Sequence, residues 1–492
     1  MPKNLDIRLA GFNIDADLMQ SLDSGSTHTL TPETLSAAYA RISRSALSID
    51  ELRLQARREV ARARQSNSRI IFSMGHHSIA EHAVFNFDIM GLSRLAMEEI
   101  ETMRLVSFTE KSQRYVRLNR DTMIPEELSA TPLQTEFARI TSEQNRFYAD
   151  ALEMIENYLS AQAAAKKLDK ASAKQLRNLA KEDARYGLPL ATRGQLGMTI
   201  NARNLEALLR RAALSGLREV REFGRRLYEL VQPVAPSLIL FPDPSSFDRK
   251  LAHALSGIFP VPEQTAPCDD TALFSMVEAP RYGDDVVLSA FLSRIHGISR
   301  NSAAGLVNNL DASQKHSLFM KLFSGMEFFD SVPREFELPF FSFDLVVSAS
   351  CFAQLKRHRM ATLIPSAYDP GLGFTMPEVF SPTGLADRFQ KLIENTNRIH
   401  KEISASLPAL SAYVLTNAHR RRVILKMNLR EIFHFVRLRA DQHAQWDIRN
   451  LALWMSGKVR ESMPLAALLL CGKSDFVHQY ESVFHQKPQH QI

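Results

Sequence analysis

A chain of 492 residues with this pattern predicts two tandem α/β units of the α+β kind. Three observations carry the prediction: landmarks of the first half return in order in the second, a strand-then-helix passage stands in each half, and a proline-crowded stretch separates them. Leu35-Ser36-Ala37 with Arg41-Ile42 returns as Leu288-Ser289-Ala290 with Arg294-Ile295. Phe85-Asn86-Phe87-Asp88-Ile89 returns as Phe341-Ser342-Phe343-Asp344-Leu345, and Asn201-Ala202-Arg203 as Asn428-Leu429-Arg430. The offsets are 253, 256 and 227 residues. One such match means little, but three collinear ones argue for internal duplication. The shorter last offset implies that the second copy has lost about one helix-length ahead of Asn428.

The elements follow in chain order. Glu51 to Ser68 is charged, with small apolar residues, and reads as a helix. Over 83–90 the chain alternates after Val84, with Phe85, Phe87 and Ile89 on one side and Asn86 and Asp88 on the other, which is a half-buried strand. Ser93 is placed to cap a helix carrying Ala96, Ile100 and Met103 at i, i+4 and i+7. Glu136 to Lys181 is alanine-rich and helical, without glycine or proline. Prolines 233, 236, 242, 244, 260, 262, 267 and 280 then crowd one region. Proline removes backbone donors, so we expect a first unit over 1–250, a linker over 251–283 and a second unit over 284–492. Phe341 to Arg359 repeats the strand-then-helix passage. Asn428 is a good cap for a last helix, with Glu431 completing a capping box and Leu429, Ile432, Phe433 and Val436 as its apolar stripe. At 100° per residue, Asn428, Arg439 and His443 fall within about 60° of one another, and Arg430 and His434 share a different face.

Composition narrows the class. Hydrophobic and charged contents of 45% and 23% are those of soluble globular proteins. No apolar run reaches the ~20 residues that span a bilayer. Met1 to Met19 carries Asp6, Asp15 and Asp17 and no signal-peptide core, so a cytoplasmic protein is expected. Cys268, Cys351 and Cys471 form no metal or redox motif. A net charge of +6 suits anionic substrates. The run His419-Arg420-Arg421-Arg422 reads as a solvated turn or strand edge, and without interleaved aromatics it does not argue for a nucleic-acid partner. Gly75-His76-His77-Ser78-Ile79-Ala80-Glu81-His82 is histidine-rich, yet no further Cys or Asp cluster completes a metal shell, so no metal is expected.

Two stretches look like complementary halves of one motif. The first is Thr102-Met103-Arg104-Leu105-Val106-Ser107, followed by Glu110, Ser112 and Arg114. The second is Arg357-His358-Arg359-Met360-Ala361-Thr362, followed by Pro365, Ala367 and Asp369. Together they resemble the signature of the flavin-dependent thymidylate synthases: Arg-His-Arg, two residues, Ser, four residues, Ser, one residue, Arg. The first stretch keeps the Ser–Ser–Arg end, the second the Arg-His-Arg start.

The resemblance implies two units, each a small antiparallel sheet packed against long helices. It implies that His76, Ser78 and Glu81 contact flavin. It assigns FAD to Arg357, His358, Arg359, Asn428, Arg430, His434 and His443. Nucleotide binding falls to Arg104, Arg114, Arg185, Gln354 and Arg439, with Arg439, Glu110 and Ser112 at the reacting pyrimidine. Glu99 replaces the glutamine in the first copy, and Ala412 stands where the second copy would carry its counterpart of Arg185. Methylation of deoxyuridine monophosphate (dUMP) to thymidylate is the implied activity, with methylenetetrahydrofolate giving the carbon and NADPH the electrons. Family members are homotetramers whose sites draw on several chains, so a homodimer of fused pairs is expected, each copy keeping what the other has dropped. The alternatives are a diverged flavoenzyme acting on another pyrimidine nucleotide, and a non-catalytic flavin- or nucleotide-binding protein or an RNA binder using Arg420, Arg421 and Arg422. The family needs no cysteine nucleophile; its cofactor does the difficult chemistry and the protein supplies position and electrostatics.

Overall fold

A computed structural model describes residues 5–22, 29–118, 121–129, 131–167, 169–254 and 273–490. The chain forms two compact units. The first takes in Met1–Glu263 and Pro377–Asn417, the second Gln264–Met376 and Ala418–Ile492.

Each unit is built on a four-stranded antiparallel sheet. In the first unit β1 (Asp6–Phe12), β2 (Val84–Ser93), β3 (Ser107–Glu110) and β4 (Arg193–Asn201) lie in the order β1-β2-β4-β3. In the second, β5 (Phe274–Glu278), β6 (Phe340–Ser348), β7 (Thr362–Tyr368) and β8 (Arg420–Asn428) lie in the order β5-β6-β8-β7. The registers match as well as the order: Val84 faces Asn201 across β2 and β4, and Phe340 faces Asn428 across β6 and β8. The offsets read from the sequence are therefore strand registers. A one-residue slip would turn every core side chain outward, and Phe85, Phe87 and Ile89 are buried just as Phe341, Phe343 and Leu345 are.

The helices depart from expectation in instructive ways. Ile49–Arg58 and Val60–Ser68 are two helices, not one, broken at Glu59; Ser48 and Glu51 form a capping box at the start of the first. The long helical stretch divides into Leu133–Ala165 and Lys170–Ala184. The second copy has a single helix at this point, Ala386–Ser406, which accounts for the shorter offset. That helix belongs to the first unit. Phe147 of Leu133–Ala165 packs against both Phe380 and Phe389, with ring centroids 5.7 and 5.3 Å away. Gln144 Nε2 donates to Thr396 Oγ1 (3.0 Å) and to the Val414 carbonyl (2.7 Å), all within the buried seam.

The expected linker over 251–283 is partly structured. Its central residues 255–272, including Cys268 and three of the prolines, lie outside the described residues. On one side, Ser246–His253 is a helix with a capping box. On the other, Phe274–Glu278 is β5, the edge strand of the second sheet, and Pro280 follows it where no ladder donor is needed. The basic run also differs from expectation. It opens β8, an interior strand. Arg420 is buried and donates to Thr375 Oγ1 at 3.0 Å. Arg421 lies over the Tyr368 ring at 4.4 Å and donates to the Ser366 carbonyl. No helix among the described residues is long and apolar enough to cross a membrane.

Candidate functional site

In the second unit, β6 ends at Ser348, whose hydroxyl accepts from the Cys351 amide (3.0 Å) and donates to the buried Asp447 (2.5 Å). This fixes the helix Ala349–Leu355, all seven of whose residues are buried. The chain must then turn, and the turn carries Arg357, His358 and Arg359. Gln354 donates from Nε2 to Gln445 Oε1 at 3.2 Å, both side chains buried. His358 is buried too. Its Nε2 accepts from Arg439 Nε at 3.0 Å, so Nε2 carries no proton. Nδ1 lies 3.3 Å from Glu431 Oε1, a close polar contact without good hydrogen-bond alignment. Burial holds the imidazole below the ordinary histidine range; Glu431 opposes that shift and Arg439 adds to it.

Glu431 thus has a different place from the one expected. Asn428 does cap the helix Leu429–Arg439, its Oδ1 accepting from the Glu431 amide at 2.8 Å. The Glu431 carboxylate, however, turns to His358 instead of closing a capping box. The helix also ends at Arg439, so His443 lies in the following turn and does not share a helical face with Asn428 and Arg439. Arg430 and His434 stand at i and i+4 beside a cavity of about 330 Å³, also lined by Met360, Asn428, Glu431 and Arg437. Arg430 pairs with Glu337 at 2.6 Å. Arg359 is exposed and Arg357 half-buried.

In the first unit, His76 and Ser78 are exposed, and Glu81 pairs with Arg203 at 2.5 Å. Arg104 is exposed on the turn before β3. β3 delivers Glu110, and the loop beyond it is folded by Ser112, whose hydroxyl accepts from the Arg114 amide at 3.1 Å. Arg114 is tied to Glu182 by two guanidinium contacts of 2.8 and 2.7 Å. Arg185 follows one turn later. It is buried, and its Nε donates to the Glu182 carbonyl at 3.2 Å. Its Nη2 is also buried and has no hydrogen-bond partner among the described residues. Burial pushes its pKa down, which is the cost of a desolvated cation. Asn417 ties this corner together, donating to the Arg185 carbonyl (2.9 Å) and to Gln113 Oε1 (3.1 Å).

Matching positions in the two units keep their geometry where it holds the fold. Ser93 caps its helix and donates to Glu219 (2.6 Å), as Ser348 does to Asp447. The Glu81–Arg203 pair answers to Glu337–Arg430. The chemistry differs where ligands would be met. Glu99 stands at the Gln354 position and accepts from Ser215 at 2.9 Å, its carboxyl held above the usual range by burial. Arg211 donates to Thr102 Oγ1 at 2.7 Å, beside the place that His358 fills in the other unit. Sequence reasoning missed Glu182, Asn417, Gln445 and the role of Glu431. Glu182 alone left a signal, three residues ahead of Arg185 on one helical face.

Both halves of the chain are similar to known proteins. The family described as Thymidylate synthase complementing protein matches residues 26–237 and 289–465. A UPF0159 protein of Thermoplasma acidophilum is 22% identical over 450 residues, covering 81% of this chain and 86% of the relative. The flavin-dependent thymidylate synthase of Geobacter sulfurreducens is 30% identical over 222 residues, 43% of this chain and 82% of that protein. That of Clostridium tetani is 28% identical over 222 residues, 44% and 85%. With both segments matched, well over half of its length, this chain belongs to the Thymidylate synthase complementing protein family, that of the flavin-dependent thymidylate synthases.

Proposed function

We propose that the protein is an FAD-dependent thymidylate synthase, methylating dUMP at C5 with methylenetetrahydrofolate as carbon donor and NADPH as reductant. The observation that carries this reading is Arg185, a buried guanidinium with an unused donor. Removing a cation from water costs several kcal/mol unless a counter-charge repays it. Arg114 is held in place by Glu182, and beside it the Arg185 donor would meet a nucleotide phosphate. Gln354 and Arg439 would orient the nucleotide, and Arg439 would face the pyrimidine, its guanidinium steadied by His358. Glu110 and Ser112 shape the loop that grips it.

The residues of the second unit fit a flavin. Arg357 and Arg359 offer planar forks for phosphate or ring, and Asn428, Arg430 and His434 border an adjacent cavity. Bound FAD would supply the reducing equivalents. His76, Ser78, Glu81, Arg104 and His443 complete the proposed set, and the chain would assemble as a homodimer. A flavin spectrum of the purified protein tests the reading. Arg357→Ala/Arg359→Ala should be colourless while still folded; full flavin occupancy in that variant contradicts the assignment. A second reading, a related reaction on another pyrimidine nucleotide, is favoured by Glu99, Thr102, Met103, Asp369 and Ala412, which stand where the family pattern carries other residues.

A further inference from the structure

The helices Glu33–Arg41, Ile49–Arg58 and Val60–Ser68 of the first unit border an open cavity of about 550 Å³. Four arginines line it, Arg41, Arg44, Arg62 and Arg69, with Gln65 and Ser66 between them. Among the described residues only Arg62 has a carboxylate at ion-pair distance, Glu59 at 3.0 Å. Arg41 makes only long contacts of 3.4 Å, to Ser66 Oγ and the Arg62 carbonyl. Arg44 meets no carboxylate among the described residues; its contacts are Met74 Sδ at 3.2 Å and His76 Nε2 at 3.3 Å.

Three other arginines of the same helices are handled differently. Arg53 and Arg57 share Asp15 and Asp17, and Arg64 pairs with the buried Glu33. Among the described residues, carboxylates thus meet these three arginines, though not Arg58 of Ile49–Arg58, while three of the four around the cavity lack one. Like charges gathered round a concavity repel one another and focus a positive potential, which a multiply charged anion relieves. The crowding is felt at Arg41, whose pKa is lowered by burial and then by Arg62, with Glu59 opposing. A volume of about 550 Å³ suits part of a small molecule better than a single ion.

We propose that this cavity is a binding site for a polyanionic group, a chain of carboxylates or a pair of phosphates. Arg44 touches His76, so the anion would be one end of a molecule whose other end reaches the Gly75–His82 segment. On the function proposed above, and resting on it, the two sources are the glutamate tail of a folate and the phosphates of a dinucleotide. The anion site itself does not depend on that function.

Calorimetric titration of the full-length protein tests this with two probes, tri-γ-glutamate and inorganic pyrophosphate. We expect saturable binding of at least one, weakened by roughly tenfold or more in Arg41→Gln/Arg69→Gln and by added salt. Arg53→Gln, which alters an arginine already paired, should bind as the unaltered protein does. Arg41→Lys/Arg69→Lys should keep part of the affinity, which separates loss of charge from loss of fold. Binding of tri-γ-glutamate alone assigns the folate tail, and binding of pyrophosphate alone assigns the phosphates. Binding of neither, or equal binding in Arg41→Gln/Arg69→Gln, overturns the proposal. No turnover is read, so a protein inactive on dUMP can still pass.

Discussion

Replacing Tyr413 with phenylalanine isolates one buried hydrogen bond that joins the second copy's residues to the first unit. Tyr413 Oη donates to Glu219 Oε2 at 3.0 Å. The same carboxylate accepts from the Ser93 amide (2.7 Å) and the Ser93 hydroxyl (2.6 Å). All three side chains are buried. The phenylalanine ring fills the same space, so no cavity term enters. Burial raises the Glu219 pKa, while its hydrogen bonds pull it down. The folded state therefore holds this proton more tightly than the unfolded chain does, and Glu219 costs stability as pH rises from about 4.5 through its folded pKa. Losing the Tyr413 donor widens that gap. A hydrogen bond to a charged group is worth about 1.5–3 kcal/mol and one to a neutral group about 0.5–1.5 kcal/mol. Tyr413→Phe should thus be most destabilising at alkaline pH, where Glu219 is ionised, and less so once acid protonates it. Urea denaturation at pH 5 and pH 8, with Glu219→Gln as a reference, measures the difference. An equal loss at both pH values, or none, refutes the argument.

Arg185→Ala should weaken dUMP binding roughly 10- to 150-fold, the worth of one charge-assisted hydrogen bond, while bound flavin stays in place; calorimetry and absorbance read the two separately. His358, held below its ordinary pKa, contributes stability that is present above about pH 6.5 and lost as pH falls through its folded value. Glu431→Gln removes the group that opposes this shift, so stability should fall more steeply on acidification, and an unchanged pH profile would contradict the contact. A fragment ending at residue 263 lacks Phe380, Phe389 and Tyr413 and should show no cooperative unfolding transition; a sharp transition in that fragment would mean that residues 377–417 are not needed by the first unit's core.

Local pattern made part of this legible. Alternation over Phe85–Ile89 and Phe341–Leu345 located the two central strands, and the paired offsets carried their registers. Ser93 and Asn428 were readable as caps because capping is a short-range geometry of one side chain and three residues. Glu59 was not readable as a helix break, since nothing at that position forbids a helix. The edge strand Phe274–Glu278 was hidden by the prolines around it. The packing of Ala386–Ser406 into the first unit depends on which apolar faces meet, and periodicity reports only that a face exists. In the site, the motif residues were legible, but their partners were not. Glu182 for Arg114, Asn417 for Arg185 and Glu431 for His358 are chosen by tertiary approach. His443 was misplaced because the helix was extended by counting past its end at Arg439.

Tritium release from dUMP labelled at C5 tests the central claim most directly, measured with methylenetetrahydrofolate, NADPH and FAD. The account predicts release that requires all three and that falls sharply in both Arg185→Ala, from the first unit, and Arg357→Ala/Arg359→Ala, from the second. No release from a protein that binds FAD and dUMP, or undiminished release in either variant, would contradict it.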